Sequence, residues 1–163
     1  MVVVAPSGST APKFWPHVEE LAAMLAAEKT HAVILGDLRG MEIAAGWYVH
    51  PVGMAWPIRR AMALALIADV VVGEETALLN AVAMEPMRKV VLLSHSTVEN
   101  LTKHWVNTVS LSGAVPCYPC HRIHQTFDRC PRDESSGTAA CQAAISAFEV
   151  MRALGKVILD GRR

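Results

Sequence analysis

Short β-branched runs alternate along the chain with longer stretches of helical periodicity. "VVV" at 2–4 predicts a compact strand, followed by the loop "APSGSTAPK". In "FWPHVEELAAMLAAEK", Phe14, Val18, Leu21 and Leu25 recur at near-helical spacing, with Glu19 and Glu20 on another face. "HAVILGD" predicts a second strand. From there to Pro57 the pattern is irregular, broken by Gly40, Gly46 and Gly53. "PIRRAMALALIA" reads as a helix with Pro57 in its first turn. "DVVVG" is a third strand with the helix "EETALLNAVAME" directly behind it, and "RKVVLLS" is a fourth. "TVENLTKHW" predicts a short helix opened by Thr97, "VNTVSL" a fifth strand, and "CQAAISAFEVMRAL" a closing helix.

Strands this apolar, each separated from the next by a helix, imply a mainly parallel sheet covered on both faces. The expectation is one α/β, doubly wound, Rossmann-like domain over 1–163, with a Cys-rich loop and closing helix at about 113–154. Sheets of this kind bind ligands beyond the carboxyl ends of their strands, so the loops after Val4, Leu35, Val72 and Leu93 are the first to inspect.

Composition narrows the function classes. Of 163 residues 52% are apolar and 18% charged, which excludes a disordered chain. Lys plus Arg equals Asp plus Glu at 15 each, so the basic surplus of a nucleic-acid binder is missing. The start "MVVVAPSGSTAP" has no basic leader, and the longest apolar stretch, "AMALALIA", stops at Asp69. These features lead to the expectation of a soluble, cytoplasmic chain.

Two loops carry groups suited to a phosphorylated ligand. In the first, Ser7, Ser9 and Thr10 offer hydroxyls, Gly8 permits close backbone approach, and Lys13 adds a cation before a helix. In the second, "GEET" opens a helix straight after a strand and aims the amides around Glu75, Thr76 and Ala77 past the sheet edge. A capped turn with no ligand accounts for either loop taken singly. Neither matches the G-x-G-x-x-G or P-loop pattern.

Cys117, Cys120, Cys130 and Cys141 are spaced x2, x9 and x10. Four thiolates could hold a structural zinc, with His121 and His124 as spare ligands. A reduced cluster pinning the tail loop to the last helix is the alternative, and a disulfide is disfavoured in a reducing cytosol. The string Cys117 to His121 also spells a c-type haem attachment site, a chance match for a chain without an export signal. In each reading the cluster is a structural accessory.

Trp47 and Trp56 flank the irregular segment, where they fill a gap against the core or cover a base. Arg59 and Arg60 read as a solvated face, His95 as a pocket-lining candidate, and Met62, Met84 and Met87 as core filler.

The order of these pieces resembles glycosyltransferase family 9, which includes the ADP-heptose:lipopolysaccharide heptosyltransferases. The residues that carry the resemblance are Lys13-Phe14-Trp15 at the family's K-x-W, Leu66-Ile67-Ala68-Asp69 where it has Leu-Ile-x-x-Ala-Asp, and Glu75-Thr76-Ala77-Leu78-Leu79-Asn80-Ala81-Val82 where it has Asp-Thr-Gly-x-x-His-x-Ala. The late cysteines, with Ile145 and Val150 in the last helix, also look like the family. The resemblance spans essentially the whole chain and implies the C-terminal, donor-binding half of a two-domain GT-B enzyme. By position it implies that Ser9, Thr10 and Lys13 contact the diphosphate of a nucleotide-diphosphate sugar, with Thr76 and the amide of Ala77 opposite. Glu75 would orient its loop or touch the sugar. Three departures from the motif matter: Glu75 stands for Asp, Ala77 for Gly and Asn80 for His. Asn80 keeps a hydrogen-bond donor but loses charge, and Ala77 narrows backbone approach.

The resemblance further implies that no catalytic residue lies here, because the base and the glycan or lipid-linked acceptor site belong to an N-terminal half. Alone, the chain is expected not to transfer sugar, to need no cofactor for chemistry, and to sit in the cytoplasm or at the inner membrane face. A homodimer through the face meant for the other half is a further expectation. The competing expectation is a non-catalytic interaction domain with a structural Cys cluster.

Overall fold

The computed structural model describes residues 1–121 and 129–160, apart from the side chains of Leu159 and Asp160. His124 lies outside that range. Six strands form one all-parallel sheet: β1 (Val2–Ala5), β2 (Ala32–Leu35), β3 (Val49–Gly53), β4 (Val70–Glu74), β5 (Arg88–Leu93) and β6 (Thr108–Ser112). Their order is β3-β2-β1-β4-β5-β6, so the winding reverses between β1 and β4. In register, Val2, Val3 and Val4 pair with Ala32, Val33 and Ile34 on one side and with Val70, Val71 and Val72 on the other.

Because side chains alternate faces along a strand, these runs feed two separate cores. Val2, Val4, Val70, Val72, Val90 and Leu92 face α1 (Val18–Ala27) and the later α5 (Ala147–Asp160), with Trp15, Leu21, Leu25, Val150 and Leu154 packed between. Val3, Ala5, Val71, Val91 and Leu93 face α2 (Ile58–Ile67) and α3 (Ala77–Ala81), meeting Ala61, Ala65, Leu78 and Leu79. The central strands are buried on both sides, which is why the sequence shows continuous apolar runs rather than alternation.

The irregular stretch before Pro57 conceals an edge strand. β3 reads "VHPVG", and its Pro51 is tolerated because one side of an edge strand needs no N–H in the ladder. The predicted 14–29 helix starts later, at Val18. Phe14 and Trp15 stay extended beyond a 3₁₀ turn at Ala11–Lys13. The "EETALLNAVAME" helix shortens to α3, and the predicted helix after Thr97 is a π-helical turn at Val98–Thr102. The closing helix breaks in two: α4 (Ala140–Ala143), then α5, whose start is fixed by a reciprocal Ser146–Glu149 cap. Trp15 seals that break by donating its indole N–H to the Ile145 carbonyl at 2.8 Å, and the Thr138 hydroxyl donates to the Phe14 carbonyl. Met87 is buried and Met62 packs on the second core, but Met84, read as core filler, is exposed. Among the described residues, no helix is long and apolar enough to cross a membrane.

Candidate functional site

A cleft of about 570 Å³ opens at the carboxyl ends of the strands where the winding reverses. The β1 loop is built to turn its hydroxyls and cation into it. Gly8 N–H donates to the Lys13 carbonyl at 2.6 Å, Ser7 bridges to Phe14, and Trp15 N–H returns to Pro6. The loop thereby folds Lys13 back over its own start. A Cβ on Gly8 would sit 2.7 Å from Cβ of Lys13, so the turn accepts no side chain at that position.

Ser7, Ser9 and Lys13 line the cleft from this loop, and Glu75, Thr76 and Ala77 line it from β4 and α3. Thr76 caps α3, its hydroxyl oxygen accepting from Leu79 N–H at 3.2 Å; its own O–H proton remains a donor. The other wall comes from β2, β3 and the start of α2: Leu35, Gly36, Gly53, Met54, Trp56, Ile58 and Ala61. The cleft thus has a polar, cationic wall from the β1 loop and the start of α3, and a largely apolar wall from β2, β3 and α2.

Glu75 is buried and committed to the loop after β5. Its carboxylate accepts from Ser94 N–H at 2.8 Å and from the Ser96 hydroxyl at 3.0 Å, and lies 3.1 Å from Nε2 of His95. The other side of that loop is held by the Cys-rich segment. Carbonyls of Ser94, His95 and Ser96 accept in turn from Cys141 Sγ, His121 N–H and Tyr118 Oη, at 3.2, 3.1 and 2.8 Å. Three consecutive residues therefore join the cysteine segment to a side chain of the cleft. His95 itself is buried behind the cleft and is not among its lining residues.

Glu74, the last residue of β4, is fully buried, with neither carboxyl oxygen in a hydrogen bond of ordinary geometry. Burial, and then the neighbouring Glu75 carboxylate, push its carboxyl well above the usual carboxylate range; Lys13 and Ser94 pull it only partly back.

Of the residues singled out from sequence, Ser9, Lys13, Glu75, Thr76 and Ala77 meet at this cleft, while Thr10 and Asn80 do not line it. Asn80 lies on the exposed side of α3, its amide donating to the Thr76 carbonyl at 2.8 Å. The apolar wall around Met54 and Ile58 went unseen, because its strand is a proline-containing edge. Glu74 was hidden by being read as the start of a helix.

The Cys141 thiol is buried and pushed up to about 12, first by burial, then by the nearness of Cys120, Cys130 and Cys117. The other three are half-buried and all four are unpaired by disulfides. Cys120, Cys130 and Cys117 thus lie near enough to Cys141 to raise its thiol, but among the described residues no three His, Cys, Asp or Glu side chains are arranged to hold a metal.

Neither a scan against protein-family models nor a search of curated proteins finds a match to this sequence. Solved structures do match. The structure of E. coli ADP-heptose lipopolysaccharide heptosyltransferase II is similar to all of this chain, with a TM-score of 0.74 and 16% identity. The iron-containing dodecameric glycosyltransferase TibC of enterotoxigenic E. coli is similar over 96% of the chain, at a TM-score of 0.66 and 17% identity. A family 9 glycosyltransferase from Veillonella parvula covers 98%, at 0.68 and 12%. This chain spans only 47%, 45% and 46% of those three in turn, about half their length. The fold is thus that of one half of a family 9, GT-B glycosyltransferase.

Proposed function

We propose that this chain binds a nucleoside diphosphate sugar as the C-terminal, donor half of a family 9-like glycosyltransferase. The observation that carries the reading is the cleft at the reversal of the sheet. It joins a polar wall, bearing Lys13, Ser7, Ser9 and Thr76, to a largely apolar one. The diphosphate takes the polar wall, where Lys13 supplies charge and the hydroxyls and first-turn amides donate hydrogen bonds. When the sugar leaves, negative charge grows on that diphosphate, and Lys13 stabilises it without reorganisation. The acceptor hydroxyl is deprotonated by a base outside this chain, on a second half that also carries the glycan or lipid-linked acceptor. Glu75 fixes its own loop in place rather than touching sugar, given its bonds to Ser94 and Ser96. A TibC structure holds ADP-D-beta-D-heptose, which makes ADP-heptose the first donor to try.

The test is a thermal-shift titration with ADP, UDP, GDP and their sugar conjugates. Binding raises the melting temperature in a concentration-dependent way, and Lys13→Ala removes the rise. A flat response to every nucleotide overturns the reading. It would favour the second one, a non-catalytic interaction domain, which the outward-turned Asn80 supports.

We also propose that Cys117, Cys120, Cys130 and Cys141 close around one structural metal ion, zinc or, as in the iron-containing TibC, iron. Metal analysis of the purified chain should return about one equivalent, matching a single four-thiolate site. A metal-free, folded chain with four titratable thiols would overturn this.

A further inference from the structure

We infer that the buried carboxyl of Glu74 is a positioning residue for Lys13: neutral, it leaves the ammonium free to meet a phosphorylated ligand in the cleft, and ionised, it draws the ammonium away. This rests on the donor-binding reading above and adds a control to it. Glu74 closes β4, and alternation along that strand puts its side chain on the face of Val70 and Val72, toward the first core. Its neighbour in register on β5 is the apolar Leu92, and Glu74 itself is fully buried. Glu75, one residue on, accepts from Ser94 and Ser96, whereas neither oxygen of Glu74 is in a hydrogen bond of ordinary geometry. A carboxyl so placed is tolerated as the neutral acid and disfavoured as the anion unless a cation comes to it.

The cation at hand is Lys13. A Cβ built on Gly8 would stand 3.0 Å from Cδ of Lys13 and 3.3 Å from Oε2 of Glu74, so the lysine stem and the carboxyl flank one glycine. Lys13 also lines the cleft and is only half-buried, which gives its ammonium room to swing between the carboxyl and an anion in the cleft. The other groups facing Glu74 are the Glu75 carboxylate, which opposes its ionisation, and Ser94 from the loop after β5. Behind these, His95 lies 3.1 Å from the Glu75 carboxylate, and the Cys141 thiol sits on the Ser94 carbonyl. Burial, and then Glu75, keep the proton on Glu74 well above the usual carboxylate range. A bound diphosphate adds negative charge and engages Lys13, so the complex holds that proton more tightly than the free chain does. Affinity is then highest while Glu74 is protonated. It falls as pH rises through the titration of Glu74 in the free chain, by at most about tenfold per pH unit.

The experiment measures the calorimetric affinity of the full chain for ADP and for inorganic pyrophosphate from about pH 5 to about pH 8, in buffers of different ionisation enthalpy that report proton uptake. Each ligand's own titration is common to both proteins, so the ratio of Glu74→Gln to wild type isolates Glu74. That ratio should be near unity at the acidic end and rise to about tenfold at the alkaline end, the worth of one charge-assisted hydrogen bond. The wild type should also take up more protons on binding than Glu74→Gln does. Without ligand, acetylation of Lys13 followed by mass spectrometry should be slower in the wild type than in Glu74→Gln at the alkaline end, because an ion pair holds the amine protonated. A purely structural role for Glu74 would change affinity equally at every pH and leave Lys13 reactivity alone. Either of those results overturns the inference, and Lys13-dependent ADP binding then leaves the donor-binding reading standing. If Glu74→Gln does not fold, a wild-type affinity that stays level across the range, with no proton taken up, overturns it as well. If the wild-type chain binds neither ligand at any pH, both fail together.

Discussion

Glu74 shows how a single residue couples the fold to its site. Burial at the end of β4, and then the neighbouring Glu75 carboxylate, raise its carboxyl well above the usual range, so the protonated form persists to higher pH than in the unfolded chain. The folded chain therefore retains a proton that the unfolded chain releases above the ordinary carboxylate range. Over the window from that range up to the raised folded value, the folded state binds more protons than the unfolded one. Stability must then fall as pH rises, by at most about tenfold in the folding equilibrium per pH unit from this group. Glu74→Gln keeps the size and the neutral charge but has no proton to lose. The variant should flatten the decline of melting temperature between pH 5 and pH 8, and melt above the wild type at the alkaline end. Equal slopes for the two proteins would show that Glu74 ionises freely. Glu149 behaves in the opposite sense: hydrogen bonds from Ser146 hold its carboxyl below the usual range, so its contribution is present at neutral pH and fades on acidification. Glu149 is largely exposed, which makes that contribution small.

At the scale of elements, the interruption between α4 and α5 matters most, because it lets the tail of the chain reach the site. A continuous helix from Cys141 would carry the thiol away from the loop after β5. With the break, α4 lays Cys141 on the Ser94 carbonyl, while α5 departs along the first core. The restart depends on the capping box, in which Ser146 Oγ accepts from Glu149 N–H at 3.2 Å and the Glu149 carboxylate accepts from Ser146 N–H at 2.9 Å. Ser146→Ala should cost about 1 kcal/mol of stability in chemical denaturation, with no change in the slope of the transition. The same contacts show what the sequence made legible. Buried strands announced themselves as "VVV" and "VVVG", since a strand covered on both faces has no polar position to confuse the reading. β3 did not, because an edge strand with Pro51 and an exposed His50 has neither alternation nor an apolar run. The break at Ser146 lay inside one helical period, and only the capping Glu149, three residues on, marked it. The polar wall of the cleft could be read from its hydroxyls and Lys13; the apolar wall could not, because Met54 and Trp56 come to line the same cleft only once β3 is in place.

For the whole molecule, the sheet and its two cores are one structure and the Cys-rich segment is another laid against it. Among the described residues from 117 to 137, Tyr118 alone joins a core, packing on the second one. His121 and Tyr118 of the segment nevertheless hold the carbonyls of His95 and Ser96, and Cys141 of α4 holds that of Ser94, in the loop whose amides and hydroxyls fix Glu75 at the cleft. Loosening the cysteines should then spare the fold and disturb the site. Cys120→Ser removes one of the proposed metal ligands, a half-buried one. It should leave the far-UV circular dichroism unchanged, speed tryptic cleavage at the exposed Arg129, and weaken nucleotide binding by about fivefold or more. Tyr118→Phe, which deletes the hydroxyl's bonds to the Ser96 carbonyl and to Ser112, should weaken binding in the same direction without exposing Arg129. If Cys120→Ser unfolds the sheet, the segment is part of the folding unit after all. If it frees Arg129 yet leaves nucleotide affinity untouched, residues 94–96 hold their position without help from the cysteines, and Glu75 is fixed from the sheet alone.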